Sequence, residues 1–287
     1  MNRTQIEWVK NPDGTQGYTW NPITGCLNGC EYCYARKLAN GRLKERYRAN
    51  HNVAPLSTGS YPEGDTYADP FYPRFWEERL GDIKRGYHYQ SFEWAESEFA
   101  AKARGVFVCD MSDLFGIGVP EVWTRKVLKA INTYDNRGDR FYLLTKQPQN
   151  LLKFSPFPEN CWVGVTYTGG DGFTKALAGL KEVQATVKYL SIEPFLAEIP
   201  RLALVTIPKV VNWVIIGAQT KPYKPPKIEW VEEIVKACDK AGVKVFLKNN
   251  LKPLLINDKG FGNVSPGVLI EREIESGTYK LRQEIPK

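Results

Sequence analysis

Short apolar runs separated by polar stretches recur along this chain. The runs are Tyr18 to Ile23, Gly105 to Cys109, Phe141 to Leu144, Trp162 to Val165, Val187 to Ile192, Trp213 to Ile216 and Val243 to Leu247. They are rich in Val, Ile and aromatic residues and nearly continuous in apolar character, as strands buried on both faces of a parallel sheet should be. Helical patterns lie between them. In Glu121 to Tyr134, Val122, Val127, Leu128, Ile131 and Tyr134 fall mostly on one face, and Pro120 sits where a helix begins. In Ile228 to Ala241 the inward set is Ile228, Val231, Ile234, Val235 and Cys238, with Gly242 just past the end. Alternating strands and helices call for parallel strands joined by right-handed crossovers. The expected fold is α/β, a full or partial parallel (β/α) barrel of six to eight strands.

Two regions break this rhythm. Residues 50–103, rich in Tyr, Pro, Phe and Trp, form an insertion after the first strand–loop–helix, and segments that long are commonly lids or added elements. Beyond Lys252, Gly260, Gly262, Pro266 and a polar alternating run suggest a small cap. We find no internal repeat, linker or low-complexity tract. The expectation is one domain: a barrel over 1–252 carrying the insertion, and a C-terminal cap over 253–287.

Composition narrows the chemistry. The 287 residues are 43% hydrophobic, 13% aromatic and 25% charged, the proportions of a globular chain with ample material for a core. No apolar stretch approaches the length of a membrane span, and Met1 to Lys10 lacks the apolar region of a signal peptide. Six cysteines are too few for a disulfide scaffold of this size, so a reducing cytoplasm is expected. With only His51 and His88 present, triads and metal sites built on histidine are mostly excluded. The net charge of +7 suits a phosphate-bearing partner without requiring one.

The strongest chemical signal is Gly25-Cys26-Leu27-Asn28-Gly29-Cys30-Glu31-Tyr32-Cys33. Three closely spaced cysteines can wrap a small cluster, with the two glycines permitting tight turns. An iron–sulfur cube usually takes four thiolates, so three would leave one iron open. The loop follows the first predicted strand, at the end where barrel enzymes keep their sites. A zinc knuckle or three inert thiols are the plainer readings, but structural zinc wants four ligands, commonly in two close pairs. Cys109, Cys161 and Cys238 stand singly within predicted strands or a helix and read as core residues.

This pattern, with an aromatic residue just before the last cysteine, resembles the defining motif of the radical S-adenosylmethionine (radical SAM) superfamily. The resemblance implies that Cys26, Cys30 and Cys33 hold a 4Fe-4S cluster. It implies that the open iron chelates the amino and carboxylate groups of S-adenosylmethionine (SAM), and that Tyr32 borders the adenine. Reductive cleavage of SAM then gives a 5′-deoxyadenosyl radical that abstracts hydrogen from a substrate. More narrowly, the chain looks like a phage-associated branch with a three-cysteine motif. The matching stretches are Thr4-Gln5-Ile6-Glu7-Trp8, Thr19-Trp20-Asn21-Pro22, Met111-Ser112-Asp113-Leu114-Phe115, Leu144-Thr145-Lys146 and Ser191-Ile192-Glu193-Pro194. It departs from that branch at Gly217-Ala218-Gln219-Thr220 and at Lys248-Asn249-Asn250, both at strand ends, which leaves open a substrate different from that of the wider branch.

Polar residues follow nearly every predicted strand: Asp110, Ser112 and Asp113, then Thr145 and Lys146, Thr166 and Tyr167, Glu193, Gln219, and Lys248 with Asn249. In a barrel they would converge on one mouth. Asp110 or Ser112 is the candidate for SAM's amino group, Lys146 for its carboxylate, and Thr166 or Glu193 for the ribose. Lys146 and Glu193 are thereby the catalytic candidates. Arg36, Lys37, Arg42, Lys44, Arg46 and Arg48 follow the cysteine loop directly. Such charges commonly form a solvated face; beside an aromatic insertion they could also contact a nucleotide or nucleic acid. The expected partners are therefore an unidentified substrate of that kind and an external electron donor, with no membrane. The rivals are a non-catalytic iron–sulfur or zinc protein that binds nucleic acid, and a hydrolase using Asp110, Asp113 or Glu193 as acid and base.

Overall fold

A computed structural model describes residues 1–84, 103–133, 138–257, 260–261, 268–272 and 279–286. The chain divides into two compact units, Met1–Leu144 with Phe157–Cys161, and Thr145–Pro156 with Trp162–Lys287.

The first unit carries β1 (Asn2–Arg3), β2 (Tyr18–Trp20), β3 (Ile23–Thr24), β4 (Arg74–Phe75), β5 (Gly105–Val108) and β6 (Arg140–Thr145). Its helices are α1 (Tyr34–Asn40), α2 (Lys44–Arg48), α3 (Gly64–Ala68) and α4 (Glu121–Thr133). Strands β2, β5 and β6 pair in parallel, and β1 lies antiparallel to β2. The apolar run expected over Tyr18 to Ile23 is broken, because Asn21 and Pro22 end β2 and Pro22 has no amide to donate. The chain resumes as β3, which pairs with β4 from the insertion. Bulky aromatics fill the core: Trp8 packs 5.0 Å from Phe107, and Trp20 6.4 Å from Phe141. In α4 the buried residues are Trp123, Thr124, Val127 and Ile131, whereas Val122 faces outward, so the apolar stripe is turned from the one expected. Trp123 stacks on Phe75 at 5.3 Å and thereby holds the start of the insertion's second half. Tyr134, His88 and residues 85–102 of the insertion lie outside the described residues.

The second unit carries β7 (Cys161–Thr166), α5 (Phe173–Lys181), β8 (Val187–Ile192), α6 (Arg201–Val210) and β9 (Trp213–Ile216). The hairpin β10 (Gln219–Thr220) and β11 (Tyr223–Lys224) follows, then α7 (Ile228–Lys240), β12 (Lys244–Leu247) and α8 (Lys252–Leu255). Strands β7, β8, β9 and β12 pair in that order, all in parallel. Order along the sheet follows order along the chain, and α5 meets α6 as α6 meets α7. Right-handed crossovers without a reversal of strand order put successive helices on one face. Trp213 centres the core, 5.7 Å from Trp162 and 5.6 Å from Tyr189. In α7, Val231, Ile234, Val235 and Cys238 are buried as the pattern required, Ile228 at its start only partly, and Gly242 with φ 70° ends the helix.

Beyond β12 the described C-terminal residues cover a sheet edge. The Arg282 carbonyl accepts from the Leu247 amide at 2.8 Å and the Glu284 amide donates to the Val245 carbonyl at 2.9 Å, so the tail runs antiparallel along β12. The Arg282 guanidinium fixes it through Asp239 and Glu284 at 2.8–3.1 Å. Such a strip satisfies the open row of amides and carbonyls of an edge strand. The protein is therefore mixed α/β, with a mostly parallel central sheet of eight strands. Among the described residues no helix is long and apolar enough to cross a membrane.

Candidate functional site: a three-cysteine loop at a strand end

The loop 25–33 is fixed by groups far away in sequence. The Gly25 amide donates to the Met111 carbonyl and its own carbonyl accepts from Ser112 Oγ at 2.5 Å, while the Cys26 amide donates to the Phe71 carbonyl. Gly25 has φ 85°, and a Cβ there would lie 2.3 Å from the Tyr72 carbonyl oxygen, so only glycine fits. Gly29 also has a positive φ of 68° but faces open space. Below the loop, Ala35, Ala39, Tyr47, Phe71, Trp76 and Met111 form a buried cluster against which Cys26 and Cys33 pack. The insertion thus acts in part as the floor of the loop. Its Arg74 is fully buried and donates to the carbonyls of Asn50, Tyr67 and Asp69, and Trp76 Nε1 donates to Thr24 Oγ1 at 2.8 Å.

The three thiols are half-buried and none is in a disulfide. Cys26 Sγ accepts from the Asn28 amide at 3.4 Å, and Cys33 Sγ caps α1 by accepting from the Arg36 amide at 3.3 Å. The Tyr32 hydroxyl and the Cys30 thiol lie within hydrogen-bonding reach. Burial pushes the Cys26 thiol up to about 12, with the Asn28 amide opposing and Asp113, Cys30 and Cys33 adding to the rise. The same burial, with Cys30 beside it, pushes the Tyr32 hydroxyl up to about 12. Burial thus favours the protonated form of Cys26, and the neighbouring thiols add to it. A bound cation would reverse that preference.

Around the loop lies a polar collar. Asn28 Nδ2 donates to Asp113 Oδ2 at 2.8 Å, and the buried Asp113 also accepts from the Phe115 amide. Asn21 bridges Asp110 at 2.6 Å and the Met111 amide at 3.0 Å. Tyr34 donates to Asp110, whose carboxyl is raised above its ordinary value by burial despite the Asn21 and Tyr34 bonds. Arg36 lies 4.9 Å over the Phe71 ring, donates to the Cys26 carbonyl at 3.4 Å and meets Asp69 at 3.4 Å. Cys109, just before Asp110, has φ 61°, a strained conformation for a residue with a side chain.

Of the sequence candidates, Cys26, Cys30, Cys33, Tyr32, Asp110 and Ser112 are brought together in the first unit. Thr166, Glu193 and Lys146 belong to the second, at or just beyond the ends of β7, β8 and β6. Glu193 has a partner that the sequence did not reveal: Lys248 Nζ donates to its Oε1. Gly217 makes room for that pair, since a Cβ there would lie 2.9 Å from Lys248 Cδ. Asn250 grips the Ala218 backbone from both sides at 2.9 and 3.0 Å. The stretches 217–220 and 248–250 are therefore one coupled corner. Asn21, Asn28 and Tyr34 escape sequence reasoning as site residues, because their partners lie 76 to 89 positions away.

Among the described residues no group of three or more His, Cys, Asp or Glu side chains is arranged to hold a metal ion. The donor set of the loop still fits a thiolate-bound cluster: three unlinked sulfurs on one glycine-hinged loop, two of them already accepting backbone amides.

Fold and loop together define an α/β protein with a three-thiol loop mounted near the end of its first parallel strand. Residues 3–253 match a family described as protein of unknown function (DUF5131), and the chain belongs to it. No curated protein and no solved structure matches the chain.

Proposed function

We propose that this protein is a radical SAM enzyme in which Cys26, Cys30 and Cys33 hold a 4Fe-4S cluster. The observation that carries this reading is the built cysteine loop. Its glycine hinge, its amide donors to sulfur and its floor from the insertion hold three unlinked thiols on one short loop. A cluster held by Cys26, Cys30 and Cys33 would supply the electron, replenished by an external donor, for reductive cleavage of the SAM sulfonium to methionine and a 5′-deoxyadenosyl radical. Tyr32 would border the adenine, and Asp110 or Ser112 would receive the amino group. Asp110 suits that task because the half-exposed Tyr34 and Asn21 already orient its carboxylate. The second-unit strand order suits a partial (β/α) barrel, with the C-terminal strip closing the β12 edge in place of further strands. The unlinked thiols suit a reducing cytoplasm.

The test is anaerobic reconstitution with iron and sulfide followed by SAM and a chemical reductant. Formation of 5′-deoxyadenosine by the wild type, and its loss in Cys30→Ala, is the expected result. Equal product from both proteins removes the site, and zinc without acid-labile sulfide removes the chemistry.

A further inference from the structure

Several surface cations elsewhere in this molecule have acidic partners. Arg125 pairs with Glu121, Lys126 with Glu77, Lys236 with Glu232 and Lys244 with Glu284, at 2.6–3.1 Å. The stretch from Arg36 to Arg48 is different. It holds six cations against the single carboxylate of Glu45, a local charge of +5 within a chain whose total is +7. Arg36 is engaged with Asp69, but Lys37, Arg42, Lys44, Arg46 and Arg48 are exposed and form no ion pair among the described residues.

Packing concentrates this charge. Helices α1 and α2 touch each other, and Ala35, Ala39 and Tyr47 turn inward, leaving the cations on the outside. Lys44 and Arg48 stand one turn apart on α2, an arrangement of like charges that costs helix stability. The field reaches inward as well. Burial lowers the tendency of Arg74 to hold its proton, with Tyr67 and Asp69 opposing and Arg48 adding a little, and burial with Arg46 lowers that of Arg79 against Tyr47, Glu78 and Asp82. Two further guanidiniums of the same sign thus lie within the reach of the surface cations. At the start of α1 the Tyr34 ring is 51% exposed, one turn from Lys37 on the same side.

We propose that the α1–α2 face binds the phosphate backbone of a single-stranded nucleic acid. Exposed cations without ion pairs among the described residues, spread over two touching helices, can neutralise several phosphates, and an exposed ring beside them offers a stacking platform for a base. The assignment concerns the surface and stands whether or not the cysteine loop holds a cluster.

The test is fluorescence anisotropy with a labelled single strand of about 20 nucleotides, as DNA and as RNA, on the full chain at about 50 and 200 mM salt. One variant converts Lys37, Arg42, Lys44, Arg46 and Arg48 to Gln. A control converts the exposed Lys129, Lys175, Lys209, Lys240 and Lys252 to Gln, removing the same charge elsewhere. The first variant is expected to bind about tenfold or more weakly, with the salt slope flattened by about 0.7 for each phosphate that is no longer neutralised. The control is expected to stay within about threefold of the wild type. Equal weakening in both variants, or no binding by the wild type at the lower salt, overturns the surface. Tighter binding of a duplex of the same sequence, or displacement by polyglutamate at equal charge, overturns the single-strand assignment.

Discussion

Both strand-end regions of this protein pair their polar side chains, but they differ in what they leave weakly bound. Around the cysteine loop the backbone is tied down by distant partners, while the sulfurs are left with weak amide donors and one tyrosine hydroxyl. In the second unit the polar side chains satisfy one another or the nearby backbone: Glu193 with Lys248, Asn250 with Ala218, and Gln219 with the Pro222 carbonyl. The first arrangement places its rigidity in the main chain and keeps soft ligands available. The second commits its charges internally and can offer them to a ligand only by breaking a pair. Sites that must accept a bulky, highly charged group are better served by the first.

The largest effect is expected at the loop hinge. Gly25→Ala should cost about 3 kcal/mol or more, because its Cβ collides with backbone at Tyr72 and the positive φ is strained as well. Gly29→Ala, strained but unobstructed, should cost about 1 kcal/mol. Urea melts of both variants check the contrast, and equal costs would mean that the seat at Tyr72 is not rigid.

A smaller effect is expected in the second unit. Glu193→Gln should lower stability by about 1 kcal/mol, since it leaves Lys248 half-buried without its carboxylate, yet a flexible lysine can turn towards water. Iron uptake by the reconstituted protein should be unchanged. A matched drop in bound iron would show that the two regions are not independent.

The smallest effect is a pair of opposite pH slopes. Asp110 is raised by burial, so the folded protein binds its proton more readily than the unfolded chain does. Its contribution falls as pH rises from the ordinary carboxylate value through the raised one. Glu284 is opposed by burial but held down by Arg282, the Val245 amide and Lys244, so its contribution is present above the ordinary value and lost on acidification. Stability measured between about pH 3 and 7 should lose the first slope in Asp110→Asn and the second in Glu284→Gln. The same sign in both would contradict the assignment of burial as the larger influence at Asp110.

Much of the fold was legible because strands covered on both faces write themselves as short apolar runs. All seven runs recur as strands, and the only one broken is Tyr18 to Ile23, where Pro22 gave the signal. The stripe of α4 departs from its periodicity because Trp123 and Thr124 bury against neighbours that spacing does not identify, Phe75 and the Leu114 carbonyl among them. At the site, the thiol spacing is local and could be read directly. The collar could not. Asn28 meets Asp113 and Tyr34 meets Asp110 across 85 and 76 positions, distances over which single-chain patterning carries no register. The Glu193–Lys248 pair was hidden for the same reason, although each residue is conspicuous by itself at a strand end.

The central claim is that three thiolates hold a cluster while one iron stays open to SAM. Its most direct test is the electron paramagnetic resonance spectrum of the reduced, reconstituted protein, recorded before and after SAM is added. A reduced-cluster signal that shifts on addition of SAM, and is missing in Cys26→Ala, is the predicted result. A spectrum indifferent to SAM, or a protein that takes up zinc and gives no signal, would contradict it.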